Sequence, residues 1–133
     1  MANIRETDAI LHVLRCFDDD NIVHVDGRVD PVRDKEIIDY ELQIKDLETI
    51  DSRIAKVQKQ AQTGGDKQAK IACEVLCKYK EALEQGKSAR TVSFDTKDEE
   101  RIAHDLFLLT DKPVMYVCNV DEASAVNLSL IHI

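Results

Sequence analysis

The sequence predicts a mostly helical α/β fragment, with two parallel strands of an incomplete sheet and a long antiparallel α-helical hairpin packed as a coiled coil. Two short apolar runs without strict alternation, residues 9–17 and 114–118, indicate strands that are covered on both faces. Two stretches between them repeat apolar residues at steps of three and four, which predicts helices that pack along a shared seam. Because parallel neighbours need a crossover connection, these helices would join the two strands. The chain holds too little further material to cover such a sheet, so we expect it to be part of something larger.

Length and composition exclude several classes of protein. At 133 residues and 44% hydrophobic, the chain can build one modest core with a protruding helical element, but not two full domains. No apolar run approaches the roughly 20 residues that cross a bilayer, and the start lacks the basic-then-apolar order of a secretory signal. We therefore expect a cytoplasmic protein with free thiols. Cys73 and Cys77 share a helix face, but no second pair follows at zinc-finger spacing, so packing is preferred to a metal site.

Charge is distributed unevenly along the chain. The net charge of −8 argues against a whole-molecule nucleic-acid binder. Residues 1–50 carry −7, residues 51–90 carry +4 and residues 91–133 carry −5. The middle third is therefore a locally basic segment between two acidic ones.

The first long helix is predicted to follow a polar, acidic loop at residues 16–30. Asp30 suits the N-cap, and Pro31 suits the first helical position, where a missing N–H costs nothing. The apolar residues of this helix then step by three or four, as in a coiled-coil seam, at Tyr40, Ile44, Leu47, Ile50, Ile54, Val57 and Ala61.

A second helix returns along the first. Gly64 and Gly65 break the first helix, Asp66 can cap the second, and Gly86 ends it. Its apolar seam consists of Ala69, Ala72, Leu76, Tyr79 and Leu83. Two ion pairs at i, i+4 are expected on its exposed side, Asp66 with Lys70 and Glu74 with Lys78. The two seams predict an antiparallel helical hairpin with a longer arm of about 45 Å.

A third, short helix leads the chain back to the second strand. Thr96 and Glu99 form a capping box, and Pro113 follows the end of the helix. Its buried side is predicted to contain Ile102, Ala103, Leu106 and Leu109. The apolar tail, residues 128–133, fits either a short strand or a cloning remnant.

The candidate binding site directly follows the second strand. Residues 119–122 read Asn-Val-Asp-Glu and stand at the carboxyl end of that strand, where open α/β sheets place their ligands. P-loop GTPases carry Asn-Lys-x-Asp at this point, whereas here Val120 replaces the lysine and Glu122 replaces the final aspartate. A longer carboxylate would change which purine edge fits. By itself, this pattern also fits an ordinary polar loop.

Three longer strings point to a particular family. The segment RCFDDDNIVHVDGRVDPVRD, residues 15–34, resembles the passage from the fourth G-domain strand into the helical insert of the YchF family, also called EngD or Obg-like ATPases. The opening ANIRETDAILHV resembles the helix and strand just before it, and KPVMYVCNVDE resembles the fifth strand with its Asn-x-x-Glu motif. The resemblance covers about residues 2–127.

The resemblance implies an intact parent with a Ras-like P-loop NTPase domain, a helical insert and a C-terminal TGS domain. Residues 1–30 and 91–127 would then be a partial G domain, and residues 31–90 the insert. It further implies binding and hydrolysis of ATP or GTP with Mg²⁺, and a base pocket lined by Asn119, Val120 and Glu122. The sequence contains no GxxxxGK[ST] phosphate loop and no DxxG switch motif, so we expect these 133 residues alone neither to hydrolyse nor to bind ATP tightly.

Basic residues near the turn of the hairpin form a second candidate site. An electropositive projection could reach a phosphate backbone, and the family resemblance implies a ribosomal or RNA partner. Against this, the segment contains no aromatic residue to stack on bases, and lysine-rich helix faces are usually just solvated. The residues concerned are Arg53, Lys56, Lys59, Lys67 and Lys70.

Three hypotheses for function therefore remain open. The chain is part of an NTPase whose activity belongs to the intact protein, a non-enzymatic module that binds RNA or a ribosomal protein, or a coiled-coil dimerisation arm. Exposed sheet edges and apolar faces are also expected to produce a non-native dimer between copies.

Overall fold

A computed structural model describes residues 5–16, 30–64 and 67–120. The elements are β1 (Ile10–Arg15), α1 (Pro31–Gly64), α2 (Lys67–Glu84), α3 (Lys97–Asp105) and β2 (Val114–Asn119), with 3₁₀ turns at Ala89–Thr91 and Leu109–Asp111. This order confirms the predicted fold class, which is mostly helical with two parallel strands and a long antiparallel helical hairpin. Within the described ranges, no helix is both long and apolar enough to span a membrane.

The two strands form a parallel pair in continuous register. Ile10 lies opposite Val114, and the pairing runs through to Arg15 opposite Asn119. One face of the pair carries partly or fully buried residues such as Leu14, which is 3% exposed. The other face presents exposed apolar side chains, namely Leu11, Val13, Met115 and Val117. The prediction that both faces are covered is thus met on one face only within the described residues, because α1 supplies a single layer.

Helix α1 begins as its sequence predicts. The Asp30 carboxylate accepts a hydrogen bond from the Arg33 N–H at 3.1 Å, and Pro31 occupies the first helical position. The helix contains 34 residues, about 51 Å of axis at 1.5 Å per residue. It is therefore long enough to contact the sheet at one end and to project away from it at the other.

The predicted seam of α1 is correct only in the half of the helix that faces α2. Ile50 is fully buried, and Leu47, Ile54 and Val57 pack against the core. By contrast, Tyr40 is 63% exposed and Ile44 is 40% exposed. Because α2 has only 18 residues, it ends before it reaches this part of α1. There α1 buries a different face, made of Leu42, Gln43 and Asp46.

Helix α2 ends at a glycine in the left-handed conformation. Gly86 has φ of +76°, its N–H donates to the Leu83 carbonyl at 3.0 Å, and the Lys87 N–H donates to the Ala82 carbonyl at 2.9 Å. This pair of bonds is a Schellman C-cap. Asp66, the predicted N-cap of the same helix, lies outside the described residues.

The expected i, i+4 pair between Glu74 and Lys78 is replaced by a contact between helices. Lys78 Nζ lies 3.2 Å from a Glu99 carboxylate oxygen on α3 and 5.5 Å from the centre of the Phe94 ring. The Glu99 N–H donates to the Thr96 hydroxyl at 3.2 Å, which confirms the predicted cap of α3. Because α3 packs against α2, Glu99 lies closer to Lys78 than Glu74 does, although Glu74 is only one turn away on the same helix. Lys70, expected to pair with Asp66, is exposed.

The core lies at the base of the hairpin, where α1 and α2 meet α3 and the 3₁₀ turn at Ala89–Thr91. Tyr79 stands at its centre, 1% exposed, with its ring edge against Phe94 at 5.2 Å between centroids. The buried members are Ile50, Val75, Leu76, Tyr79, Leu83, Ala89, Ala103, Leu106 and Leu108. This core joins the hairpin to the segment that leads into β2.

Candidate functional site

Asn119 lies at the carboxyl end of β2, as its last residue, whereas the sequence predicts it directly after the strand. Its side chain is exposed, and its carbonyl accepts a hydrogen bond from the Cys16 N–H at 2.9 Å. Because the strands are parallel, the carboxyl end of β1 lies beside it at Arg15. Asn119 therefore stands at the edge of the sheet where α/β folds bind ligands.

The remainder of the Asn-x-x-Glu pattern is described only in part. Val120 is half-buried and directly follows β2. Glu122 lies outside the described residues.

The predicted basic residues are all exposed but are spread along the hairpin. Lys59 lies five residues before the end of α1, about 7.5 Å along the axis, and Lys67 and Lys70 lie in the first turn of α2. Lys56 follows about 12 Å from the end. These four lysines surround the turn, and we call them the basic tip. Neither residues 52–64 nor residues 67–73 contain a carboxylate, although the turn itself contains Asp66.

Arg53 stands apart from the basic tip. It lies 11 residues before the end of α1, about 16 Å along the axis. There it lines a groove of about 190 Å³ between the hairpin and α3, together with Asp105 and Ile102. The structure thus brings Arg53 to α3 rather than to the turn.

A buried carboxylate beside the 3₁₀ turn at Leu109–Asp111 was not anticipated from the sequence. Asp46 on α1 has no exposed surface, and its Oδ1 accepts from the Leu109 N–H at 2.7 Å. Its Oδ2 accepts from the Thr110 N–H at 2.7 Å and from the Thr110 hydroxyl at 2.6 Å. The Thr110 hydroxyl in turn accepts from the Ala89 N–H at 2.9 Å. The available signal was an acidic residue one turn before Ile50, on the face that becomes buried.

A second polar contact ties α1 directly to β2. The Tyr116 hydroxyl lies 3.3 Å from both Asp39 carboxylate oxygens, to which it donates. Lys35 Nζ lies 2.8 Å from the same carboxylate and 4.9 Å from the centre of the Tyr116 ring. The hydrogen bond to Asp39 raises the pKa of Lys35, which therefore stays charged at neutral pH. His12 packs beside Tyr116 at 5.6 Å between ring centres.

Titratable groups around these contacts are perturbed by burial. Burial, reinforced by a hydrogen bond with Cys118, raises the pKa of the Cys16 thiol to about 11. Burial, followed by repulsion from Asp46, raises the pKa of Asp111 above its usual value. Both effects favour the neutral form of a side chain close to β2.

The described side chains at the end of β2 can donate and accept hydrogen bonds. An amide at the end of a strand offers one acceptor and two donors, which suits the edge of a purine base. Among residues 5–16, 30–64 and 67–120, no three His, Cys, Asp or Glu side chains come together in a way that could hold a metal ion. The described residues thus include an exposed amide at the end of β2 and, on the hairpin, the exposed lysines of the basic tip.

Comparison with other proteins shows which proteins this chain is similar to. No protein-family model matches the chain. It is 48% identical over 122 residues to the ribosome-binding ATPase YchF of Bacillus subtilis, a match that covers 92% of this chain and 33% of the relative. It is 42% identical over 122 residues to Obg-like ATPase 1 of Caenorhabditis elegans, covering 92% of this chain and 31% of the relative. The chain thus spans about a third of the length of these curated relatives.

A solved structure matches the fold over nearly the same extent. The Schizosaccharomyces pombe YchF GTPase superimposes with a TM-score of 0.81 and 34% sequence identity, covering 96% of this chain and 35% of that protein. The match confirms the assignment of the two strands to the sheet of a P-loop NTPase. Sequence and structural similarity agree, and the chain belongs to the family of YchF proteins and Obg-like ATPases.

Proposed function

We propose that this chain contributes the base-recognition loop and the helical insert of a ribosome-associated protein that binds and hydrolyses ATP or GTP. The observation that carries the proposal is the position of Asn119, exposed at the carboxyl end of β2 in a chain that matches ribosome-binding ATPases. In this proposal, residues 1–30 and 91–127 belong to the nucleotide-binding domain and residues 31–90 form the insert. A ribosomal partner would place the protein in the cytoplasm.

Each residue of the loop has a distinct part in the proposal. The Asn119 amide contacts the purine base, Val120 packs beside it, and the Glu122 carboxylate accepts hydrogen bonds from base amino groups. A carboxylate accepts only, so its reach decides which purine edge is favoured. The phosphates and Mg²⁺ would be held by residues that these 133 do not include, because the sequence lacks a phosphate loop.

The experiment that tests the base loop is nucleotide binding by the complete gene product. We expect Asn119→Ala to weaken ATP affinity by roughly tenfold, about 1.4 kcal/mol. Gln60→Ala removes the same kind of amide from an exposed position on α1 and is the matched control. Unchanged ATP affinity in Asn119→Ala would contradict the proposal.

The 133 residues alone are expected to lack the activity. Phosphate contacts usually dominate nucleotide affinity, and the sequence offers no loop to make them. We therefore expect no ATP turnover and no tight ATP binding in calorimetry. Micromolar affinity or measurable turnover would show that the missing phosphate loop is not needed.

A second function is favoured by the charges on the hairpin. The basic tip combines four exposed lysines with stretches of α1 and α2 that lack carboxylates. We infer that it binds the phosphate backbone of RNA in a ribosome, in a manner that weakens as salt rises. This role requires no enzymatic activity of the chain itself.

Charge reversal tests the basic tip directly. The double variant Lys56→Glu with Lys67→Glu is expected to reduce RNA or ribosome binding and to flatten its salt dependence. The control is Lys97→Glu with Arg101→Glu, which reverses two exposed charges on α3. Equal losses in both double variants would indicate a general charge effect and not a site at the tip.

A further inference from the structure

Helix α1 and the 3₁₀ turn that follows α2 are both hydrogen-bonded to one short segment of chain. That segment, residues 109–112, runs directly into β2 through Pro113. Asp46 on α1 accepts three hydrogen bonds from Leu109 and Thr110. From the residues that follow α2, Ala89 donates to the Thr110 hydroxyl and Arg90 Nε donates to the Lys112 carbonyl at 3.1 Å. The entry to β2 is thus held from both sides of the hairpin.

The bonding around Asp46 permits little rearrangement. Its carboxylate is fully buried, and Thr110 and Ala89 are 1% and 0% exposed. The Thr110 hydroxyl donates its single proton to Asp46 and accepts from the Ala89 N–H with one of its two lone pairs. A buried network in which every member is satisfied holds its elements in one geometry.

Strand β2 links this network to the candidate base loop. The strand is six residues long and ends at Asn119. The first half of the strand is held by the same helix, because the Tyr116 hydroxyl donates to Asp39 on α1. Helix α1 therefore fixes β2 both before the strand begins and three residues before Asn119.

We propose that Asp46 is a positioning residue for nucleotide recognition, which acts through Thr110 and β2 to hold the Asn119 amide in place for the base. This inference rests on the proposed function of the Asn119 loop. Asp46 lies on the hairpin and touches no nucleotide itself. Losing its bonds displaces the recognition edge while leaving the phosphate-binding chemistry intact.

The test uses two substitutions at Thr110 in the complete gene product, of which Thr110→Val keeps nearly the shape of the native side chain. Thr110→Ser keeps the hydroxyl that Asp46 and Ala89 share, whereas Thr110→Val removes it. We expect Thr110→Val to raise the KM for ATP by roughly tenfold with kcat nearly unchanged, and to narrow the preference between ATP and GTP. Thr110→Ser should retain both the wild-type KM and the wild-type preference. Asp46→Asn, which replaces an acceptor oxygen by a donor, should reproduce the Thr110→Val result.

The outcomes separate this inference from the function on which it rests. A merely structural role would lower the folded fraction, so kcat would fall in proportion while KM and the nucleotide preference stayed constant. That result, or wild-type kinetics in Thr110→Val, would overturn the inference while Asn119→Ala still weakened ATP binding. If Asn119→Ala also left ATP binding unchanged, the base loop and the positioning role would both be wrong.

Discussion

At the scale of single residues, the most constrained side chain is an acidic one. Asp46 has no exposed surface, whereas Glu41 and Glu48 on the same helix are exposed. Taking a carboxylate out of water is costly unless hydrogen bonds replace the lost hydration. The two backbone N–H groups and one hydroxyl that surround Asp46 make that replacement. A buried charge of this kind is stabilising only while its partners stay in place.

Truncation of Asp46 is therefore predicted to destabilise the fold strongly. Asp46→Ala leaves the buried N–H groups of Leu109 and Thr110 without acceptors, and we expect a loss of about 3 kcal/mol or more in the free energy of unfolding. Asp51→Ala, five residues along α1, removes only an exposed ion pair with Lys80 and should cost less than about 1 kcal/mol. Urea denaturation measures both. Similar losses in the two variants would contradict the assigned network.

The Cys16 thiol predicts how stability depends on alkaline pH. Its folded-state pKa of about 11 exceeds the usual 9.0 because the thiol is buried and hydrogen-bonded with Cys118. Below pH 9 both folded and unfolded chains keep the proton, and the contribution to stability is complete. Between pH 9 and 11 the unfolded chain ionises first, so stability falls as the pH rises.

Comparison of cysteine variants isolates this effect. Burial also raises the pKa of Tyr79, so some alkaline loss should remain in every variant. Cys16→Ala should lose stability less steeply between pH 9 and 11 than the unsubstituted chain does. Cys77→Ala, at an exposed cysteine, should keep the original slope. Denaturation midpoints measured between pH 9 and 11 distinguish the variants. If the midpoints of Cys16→Ala and Cys77→Ala fell equally with pH, the Cys16 thiol would not be the cause of the alkaline loss of stability.

At the scale of elements, helix α1 serves two different partners along its length. Its second half packs against α2 through Ile50, Ile54 and Val57. Its first half turns Leu42 and Asp46 inward, toward the sheet and the 3₁₀ turn at Leu109–Asp111. The apolar repeat in the sequence continues unbroken across this change, and so it predicts the helix correctly but not which face is buried near its start.

Two isoleucines of the same predicted seam test this division. Ile50→Ala should cost about 3 kcal/mol in unfolding free energy, because it opens a cavity in a fully buried position. Ile44→Ala removes the same atoms from a residue that is 40% exposed and should cost under about 1 kcal/mol. Thermal or urea denaturation distinguishes them. Equal losses of unfolding free energy in the two variants would indicate that the predicted seam is buried along the whole of α1.

At the scale of the whole molecule, two apolar surfaces are exposed within the described residues. The outer face of the sheet presents Leu11, Val13, Met115 and Val117, and the first half of α1 presents Ile37, Tyr40 and Ile44. A contiguous apolar face on a two-stranded sheet favours association with further protein surface.

These 133 residues alone are predicted to self-associate through the sheet. Light scattering should show a mass that rises with concentration, and Val13→Lys with Val117→Lys should keep the chain monomeric by charging the outer face. The matched control, Ile37→Lys with Tyr40→Lys, charges the exposed side of α1. If only the control variant became monomeric, the hairpin would be the contact, which would favour a dimerisation arm. A monomer at all concentrations would exclude both contacts.

The sequence by itself determined the order of the elements and several of their ends. Helix α3 is an exception, because it ends at Asp105 and leaves Leu109 in a separate 3₁₀ turn, whereas the apolar pattern extends the helix through Leu109. The helix caps at Asp30, Thr96 and Gly86 form hydrogen bonds between residues that are close in sequence. They can therefore be predicted from the sequence alone. The strings at residues 15–34 and around Asn119 likewise indicated the family, because they are contiguous. The basic tip was also visible as a run of local charge, apart from Arg53.

Only the tertiary structure decided which surfaces and side chains meet across long separations. It turned Tyr40 and Ile44 outward, paired Lys78 with Glu99, and left one face of the sheet uncovered within the described residues. It also brought Asp46 to Thr110, 64 positions away along the chain. Such contacts depend on where α2 ends relative to α1 and on how residues 85–113 pack against the two helices on the way to β2. Periodicity and capping carry no information about those relations, since both describe neighbours within one element.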